Sequence, residues 1–218
     1  MEIVYIRGGD KHAPGIAAAA GMRYGIRHDY KPYGDVWMLD INWKRYDWLH
    51  YVALIQQYQP AMALAPDYEY AWQWMWLQRQ IDDLRPLVKH VLVCPKFVGA
   101  VGHIPLDCVI ALSVPAPSYA GFLPDFRELT GRKIHLLGGR PETQADLIRK
   151  LNGIEADVIS VDGSYLSMKA GHGQVFAEGV WIQRRDRSIP NHELEQLSAV
   201  NVAKLLKAQV DAQPMLGL

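Results

Sequence analysis

Residues 133–165, KIHLLGGRPETQADLIRKLNGIEADVISVDGSY, decide the fold. The first five form a short, largely apolar run and read as a strand. Gly138-Gly139-Arg140 then turns the chain. Pro141 stands where a helix takes its first residue, Glu142 follows in the first turn, and Ala145, Leu147 and Ile148 point inward. Residues 157–161 are a second apolar run. Strand, helix and strand in that order give two parallel neighbours joined by a crossover.

Outward from this unit the same order recurs. Strands are expected at 2–6, 35–39, 61–65, 90–94 and 107–112, in addition to 133–137 and 157–161, with a last pair at 174–176 and 180–182. Most are near-continuous apolar runs, as parallel strands covered on both faces must be. Helices are expected over 47–58, 70–88 and 141–151. A final helix runs from Asn191 as N-cap to about residue 212. Seven or eight strands in this order predict an α/β fold. The closed form is a compact (β/α)8 TIM-type barrel, irregular or reduced at this length; an open parallel sheet is the alternative. With 218 residues the chain builds one sizeable core, so a single domain over 1–218 is expected.

Composition narrows the function. The formal net charge is zero, so no global basic field marks a nucleic-acid binder. Small basic clusters remain, Arg132-Lys133 and Arg184-Arg185-Asp186-Arg187, which fit either phosphate contacts or solvated surface. The two cysteines, Cys94 and Cys108, make no CxxC pair, and no structural zinc site is expected. They suit a reduced, cytoplasmic protein. The first residues, MEIVYIRGGD, lack the apolar core of a signal peptide, and no apolar run approaches the ~20 residues of a membrane span. Residues 23–30, RYGIRHDY, are polar, aromatic and basic. They read as a lid, a nucleic-acid-contacting loop or a packed surface connection. His28, His103 and His172 lack a paired ligand spacing and are assigned no metal; His172 alone is placed for a phosphate or sugar contact.

In both architectures ligands sit beyond the C-terminal ends of the strands. Three acids follow apolar runs there: Asp40 in LDINW, Asp67 in APDYE and Asp162 in VDGSY. Lys96 in CPKF and Arg140 share the rim. One such Asp is ordinarily a turn or helix cap. Three converging carboxylates, costly to bury together, mark an active site. Gly138-Gly139 before a helix is a weak phosphate-cradle signal, against a plain tight turn.

The stretch from Lys133 to Val175 resembles the tRNA-guanine transglycosylase family, in which a glycine turn and helix lead to a strand carrying a nucleophilic Asp. The resemblance places Asp162 at the nucleophile, with Asp157 at the wrong end of its strand. LDINW places Asp40 as general acid/base, and APDYE places Asp67 as the base-recognising acid. IALSVPAPSY stands where backbone groups contact the base, bringing in Ser113 and Val114; Pro115 there has no N–H to give. VCPKF, with Lys96, replaces a Gln-Gly-Gly. Gly138, Gly139 and Arg140 join the substrate-binding set. The zinc-binding insert is missing, as in small phage-type relatives that exchange guanine in DNA for a 7-deazaguanine. The implied partners are DNA, ahead of tRNA, and a 7-deazaguanine base as co-substrate. The implied cofactor set is empty. Tyr68, Tyr165 or Trp43 are candidates to stack on the base, whereas Trp72, Trp74 and Trp76 are expected to pack helices on the barrel. Three other readings use the same carboxylates: a hydrolytic nucleosidase or base glycosylase, a non-catalytic nucleic-acid-binding homologue, and a metal-dependent hydrolase, the last disfavoured without a His pair.

Overall fold

A computed structural model of the chain describes residues 1–42, 44–115, 122–184 and 188–211. Eight strands close into a barrel in sequence order: β1 (Glu2–Ile6), β2 (Arg23–Arg27), β3 (Met38–Asp40), β4 (Met62–Leu64), β5 (His90–Val93), β6 (Val109–Ser113), β7 (Lys133–Leu137) and β8 (Asp157–Gly163). Every neighbouring pair is parallel, and β8 closes on β1 with Val4 opposite Asp162. This is the (β/α)8 architecture, in a reduced form. Helices α1 (Ala13–Ala19), α2 (Trp48–Tyr58), α3 (Trp74–Leu84), α4 (Pro141–Asn152) and α5 (Tyr165–Gly171) follow β1, β3, β4, β7 and β8. After β5 and β6 the described residues hold only short 3-10 turns, Ala100–His103 and Phe126–Leu129. A hairpin of β9 (Gln174–Ala177) and β10 (Val180–Gln183) precedes α6 (Asn191–Asp211).

The second strand is a correction. Residues 23–27 are neither lid nor loop: Tyr24, Gly25 and Ile26 are buried between β1 and β3. Charged ends and a central glycine hid the strand from its apolar pattern. The glycine has a steric reason. A Cβ at Gly25 would stand 2.8 Å from Val4 Cγ1 and 3.0 Å from Ile6 Cγ1 inside the barrel. Arg132 is a second correction, because it is buried and its guanidinium donates to the carbonyls of Ile104 (3.1 Å) and Pro105 (2.9 Å). It ties a loop down rather than facing phosphate. Arg185, Asp186 and Arg187 lie outside the described residues.

Register shows which side chains enter the lumen, since paired residues in a parallel ladder share a face. Val4, Gly25, Met38, Met62, His135 and Ser160 share the inward face, and the upper layer, which lines the mouth at the strand C-termini, is Ile6, Arg27, Asp40, Leu64, Ser113, Leu137 and Asp162. The three-residue strands β3 and β4 are braced from α2, where the buried Tyr51 hydroxyl lies 3.0 Å from Leu39 O and 2.8 Å from Leu64 O. On the outside, α6 is fastened to β1. The Tyr5 hydroxyl donates to the buried Glu195 carboxylate, and Arg7 Nη2 approaches the other oxygen at 3.7 Å. Among the described residues no helix is long and apolar enough to cross a membrane.

The tight lumen beside Gly25 makes a stability prediction. Gly25→Ala is expected to cost ~1–3 kcal/mol through overpacking. Gly102→Ala, with open space at its Cβ, is expected to stay within ~0.5 kcal/mol. Urea unfolding of the two variants checks this; equal midpoints would show that the lumen accommodates the methyl group.

Candidate active site

The upper layer opens into a cavity of about 1160 Å³ at the strand C-termini. Asp40, Asp67 and Asp162 all line it, with Lys96, Ser113, Gly138, Arg27 and Glu69. The three acids arrive from β3, the loop after β4, and β8. The cavity floor is the packed lumen layer, so carboxylates on its wall have limited access to water.

Asp162 is 4 % exposed and held from two sides. The Gly138 backbone N–H donates to Oδ1 at 2.6 Å, and His135 Nε2 stands 3.2 Å from Oδ2. The Gln144 side-chain amide donates to both the Asp162 and Gly138 carbonyls, pinning the end of β8 to the end of β7. Gly138 and Gly139 both have φ in the left-handed region, 67° and 84°. That turn aims the Gly138 N–H back at Asp162. The glycine pair is therefore a carboxylate clamp, and the N–H that a phosphate cradle would use at Gly138 is occupied.

Asp40 has a different environment. Burial, reinforced by the nearby Asp162 charge, pushes its carboxyl up to about 8. A backbone hydrogen bond from Ile41 and then the Arg27 charge oppose this only in part, Arg27 itself being paired with Asp29 at 2.6 Å. At neutral pH Asp40 therefore holds a proton and is equipped to donate it. Asp67 is balanced in a third way. Burial holds its carboxyl above the usual carboxylate range, and Lys96 Nζ, 3.3 Å from Oδ2, offsets this only in part. Lys96 also donates to Ser113 Oγ at 2.7 Å. Behind them, burial pushes the Cys94 thiol up to about 11, so it is a neutral neighbour of Ser113 at 3.3 Å.

Five expected contact residues lie elsewhere. Tyr68 is fully buried, packed against Trp74 and Phe97, and its hydroxyl meets His103 Nδ1 at 2.7 Å. Val114 is buried against Gly139, and its N–H is used by Leu137 O at 3.0 Å. Gly139 and Tyr165 belong to a small groove behind the barrel wall with Pro141 and Val202. Tyr165 packs against Trp181 at 5.4 Å, and the Arg140 guanidinium sits 5.8 Å from the Tyr165 ring centre. His28 accepts the Asn42 N–H at Nδ1 (3.0 Å), and His172 ends α5. Trp74 packs against Tyr68 as expected, but Trp72 and Trp76 are 66 % and 67 % exposed, meeting edge to face at 5.7 Å while Trp72 stacks on Tyr70. Trp43 lies outside the described residues.

Three residues of the site had no place in the sequence reading, His135, Ser160 and Gln144, and Arg27 entered it only as part of the basic segment 23–30. His135 and Ser160 sit inside apolar runs, where a single polar residue reads as core. Among the described residues no group of three or more His, Cys, Asp or Glu side chains is arranged to hold a metal ion.

A family model described as a family of unknown function, DUF6610, matches residues 16–206. That span includes every strand but β1, and the chain belongs to this family. No curated protein and no solved structure matches it.

The raised Asp40 carboxyl carries a stability consequence. In the unfolded chain the group ionises near 4 and in the folded state at about 8. Between those values the folded state holds the extra proton, so stability falls as pH rises from about 4 to about 8 and stays lower above it. Asp40→Asn removes this cost. Its Tm relative to wild type is expected to rise by several degrees between pH 5 and pH 9. Parallel Tm profiles across that range would contradict the assignment.

Proposed function

We propose that this member of the DUF6610 family is a guanine transglycosylase, exchanging a guanine in nucleic acid, DNA ahead of tRNA, for a 7-deazaguanine. The observation that carries the reading is one cavity holding two carboxyl groups in opposite roles. Asp40 keeps a proton to about pH 8, and Asp162 is clamped by Gly138 and His135. Paired acids with separated roles are the equipment for cleaving a glycosidic bond with a covalent intermediate.

In the first step an Asp162 oxygen attacks C1′ and the C1′–N9 bond breaks. Its electron pair leaves with guanine, which the Asp40 proton neutralises. In the second, N9 of the 7-deazaguanine gives its proton to Asp40 and attacks C1′. The C1′–O bond to Asp162 breaks and its carboxylate returns. Two displacements retain the configuration. Asp67 accepts from the ring N–H and exocyclic amine of the purine, and Lys96, beside it, donates to the ring carbonyl. This pair and Ser113 supply the base contacts, since the Val114 N–H is already bonded in the barrel. A base reaches such a cavity only from a single strand or by leaving the duplex stack.

The test is incubation with guanine-labelled DNA, and in parallel tRNA, plus a panel of 7-deazaguanine bases. Labelled guanine is expected to be released only when an acceptor base is present, and release should fall to background in Asp162→Ala. The rate is expected to decline above about pH 8 as Asp40 loses its proton, with Asp40→Asn slower by ~10²–10⁴-fold. Release without an acceptor would instead identify a hydrolase, and no release from either polymer would overturn the proposal.

A further inference from the structure

We infer that His135 is the positioning residue of Asp162, and that the β7–β8 register exists to bring the two together. Between these strands the ladder is not regular. Lys133 pairs Asp157 and Ile134 pairs Val158, but His135 pairs Ser160, so Ile159 has no opposite residue. One extra residue in β8 reverses the face of everything after it. Because of that bulge Ser160 and Asp162 enter the lumen on the same side as His135. In an unbroken register His135 would face Ile159, and Asp162 would move out of reach of its ring.

The ring has a defined proton arrangement. His135 is 0 % exposed, with Ser160 Oγ 2.8 Å from Nδ1 and Asp162 Oδ2 3.2 Å from Nε2. Facing a carboxylate, Nε2 must carry a hydrogen, because two acceptors at that distance repel. In a neutral imidazole Nδ1 is then the acceptor, and the Ser160 hydroxyl must donate to it. The competing acceptor for that hydroxyl is Met62 Sδ at 3.6 Å, longer and weaker. The resulting chain runs Ser160 O–H to His135, His135 Nε2–H to Asp162 Oδ2, while the Gly138 N–H takes Oδ1. Both oxygens are held by donors from β7 and the turn that follows it, so the carboxylate cannot rotate about its last bond without losing one of them. A nucleophile held in this way keeps a lone pair aimed into the cavity.

The test has two arms, and only the second rests on the transglycosylase reading. In the first, side-chain nitrogen NMR of wild type at pH 7 reads the tautomer. The Nε2–H form is expected, and an Nδ1–H form overturns the inference whatever the reaction proves to be. In the second, base exchange is compared in His135→Leu, which removes the donor, and His135→Gln, whose amide N–H restores one. Leu is expected to lower kcat by ~10²-fold with KM for the polymer unchanged, and Gln to recover most of it. Should Leu fail to fold, Gln retaining kcat within ~10-fold of wild type supports the inference. Full kcat in a folded Leu variant, or a folded Gln variant as slow as Leu, overturns it. If wild type exchanges no base, the proposed function fails while the tautomer still decides the role of His135.

Discussion

A closed barrel gives a carboxylate on its inner wall few ways to exist. Water reaches it only from one end, so the charge must be removed, neutralised by a cation or held by hydrogen bonds. The three acids at this mouth use one solution each. Asp40 keeps its proton, Asp67 faces Lys96, and Asp162 takes two donors. The differences follow from backbone position. Asp40 ends a three-residue strand, and Arg27 across the ladder from it is bound to Asp29. Asp67 lies in a loop within reach of the chain leaving β5. Asp162 is still inside its strand, where the neighbouring β7 turn delivers an N–H.

That division of roles makes the site more than a collection of acids. Equal environments would give three groups titrating together and competing for the same protons. Here a proton donor and a clamped acceptor coexist at neutral pH, with a donor–acceptor couple, Lys96 and Asp67, on the same rim. Tyr68 and Tyr165, two aromatic residues that could have faced such a pocket, instead pack behind it. Tyr68 braces Trp74, Phe97 and His103, and Tyr165 braces the hairpin through Trp181.

Much of this was legible in the chain. Seven of the barrel strands announce themselves as apolar runs, and the acids that follow three of them meet in the cavity. The eighth, β2, was hidden because its inward positions are a glycine forced by crowding and an arginine at the mouth. Tyr68 was misplaced because the chain has already left β4 there, and no strand alternation tells which way a loop side chain turns. His135 was beyond reach for a different reason. Its importance depends on which residue lies across the ladder, and a bulge in another strand sets that. No local pattern around Lys133–Leu137 carries this information.

The pairing of β1 with β8 has a consequence for how the molecule comes into being. Val4 lies opposite Asp162, so the strand bearing that carboxylate is walled in only when residues more than 150 positions apart have met. Helix α6 then reaches back across the same seam through Glu195 to Tyr5. Such distant contacts are the slow part of folding, because loop closure must precede any gain from them. A growing chain therefore makes most of its strands before it has a cavity at all, and the chemistry of the mouth is the last property the fold acquires.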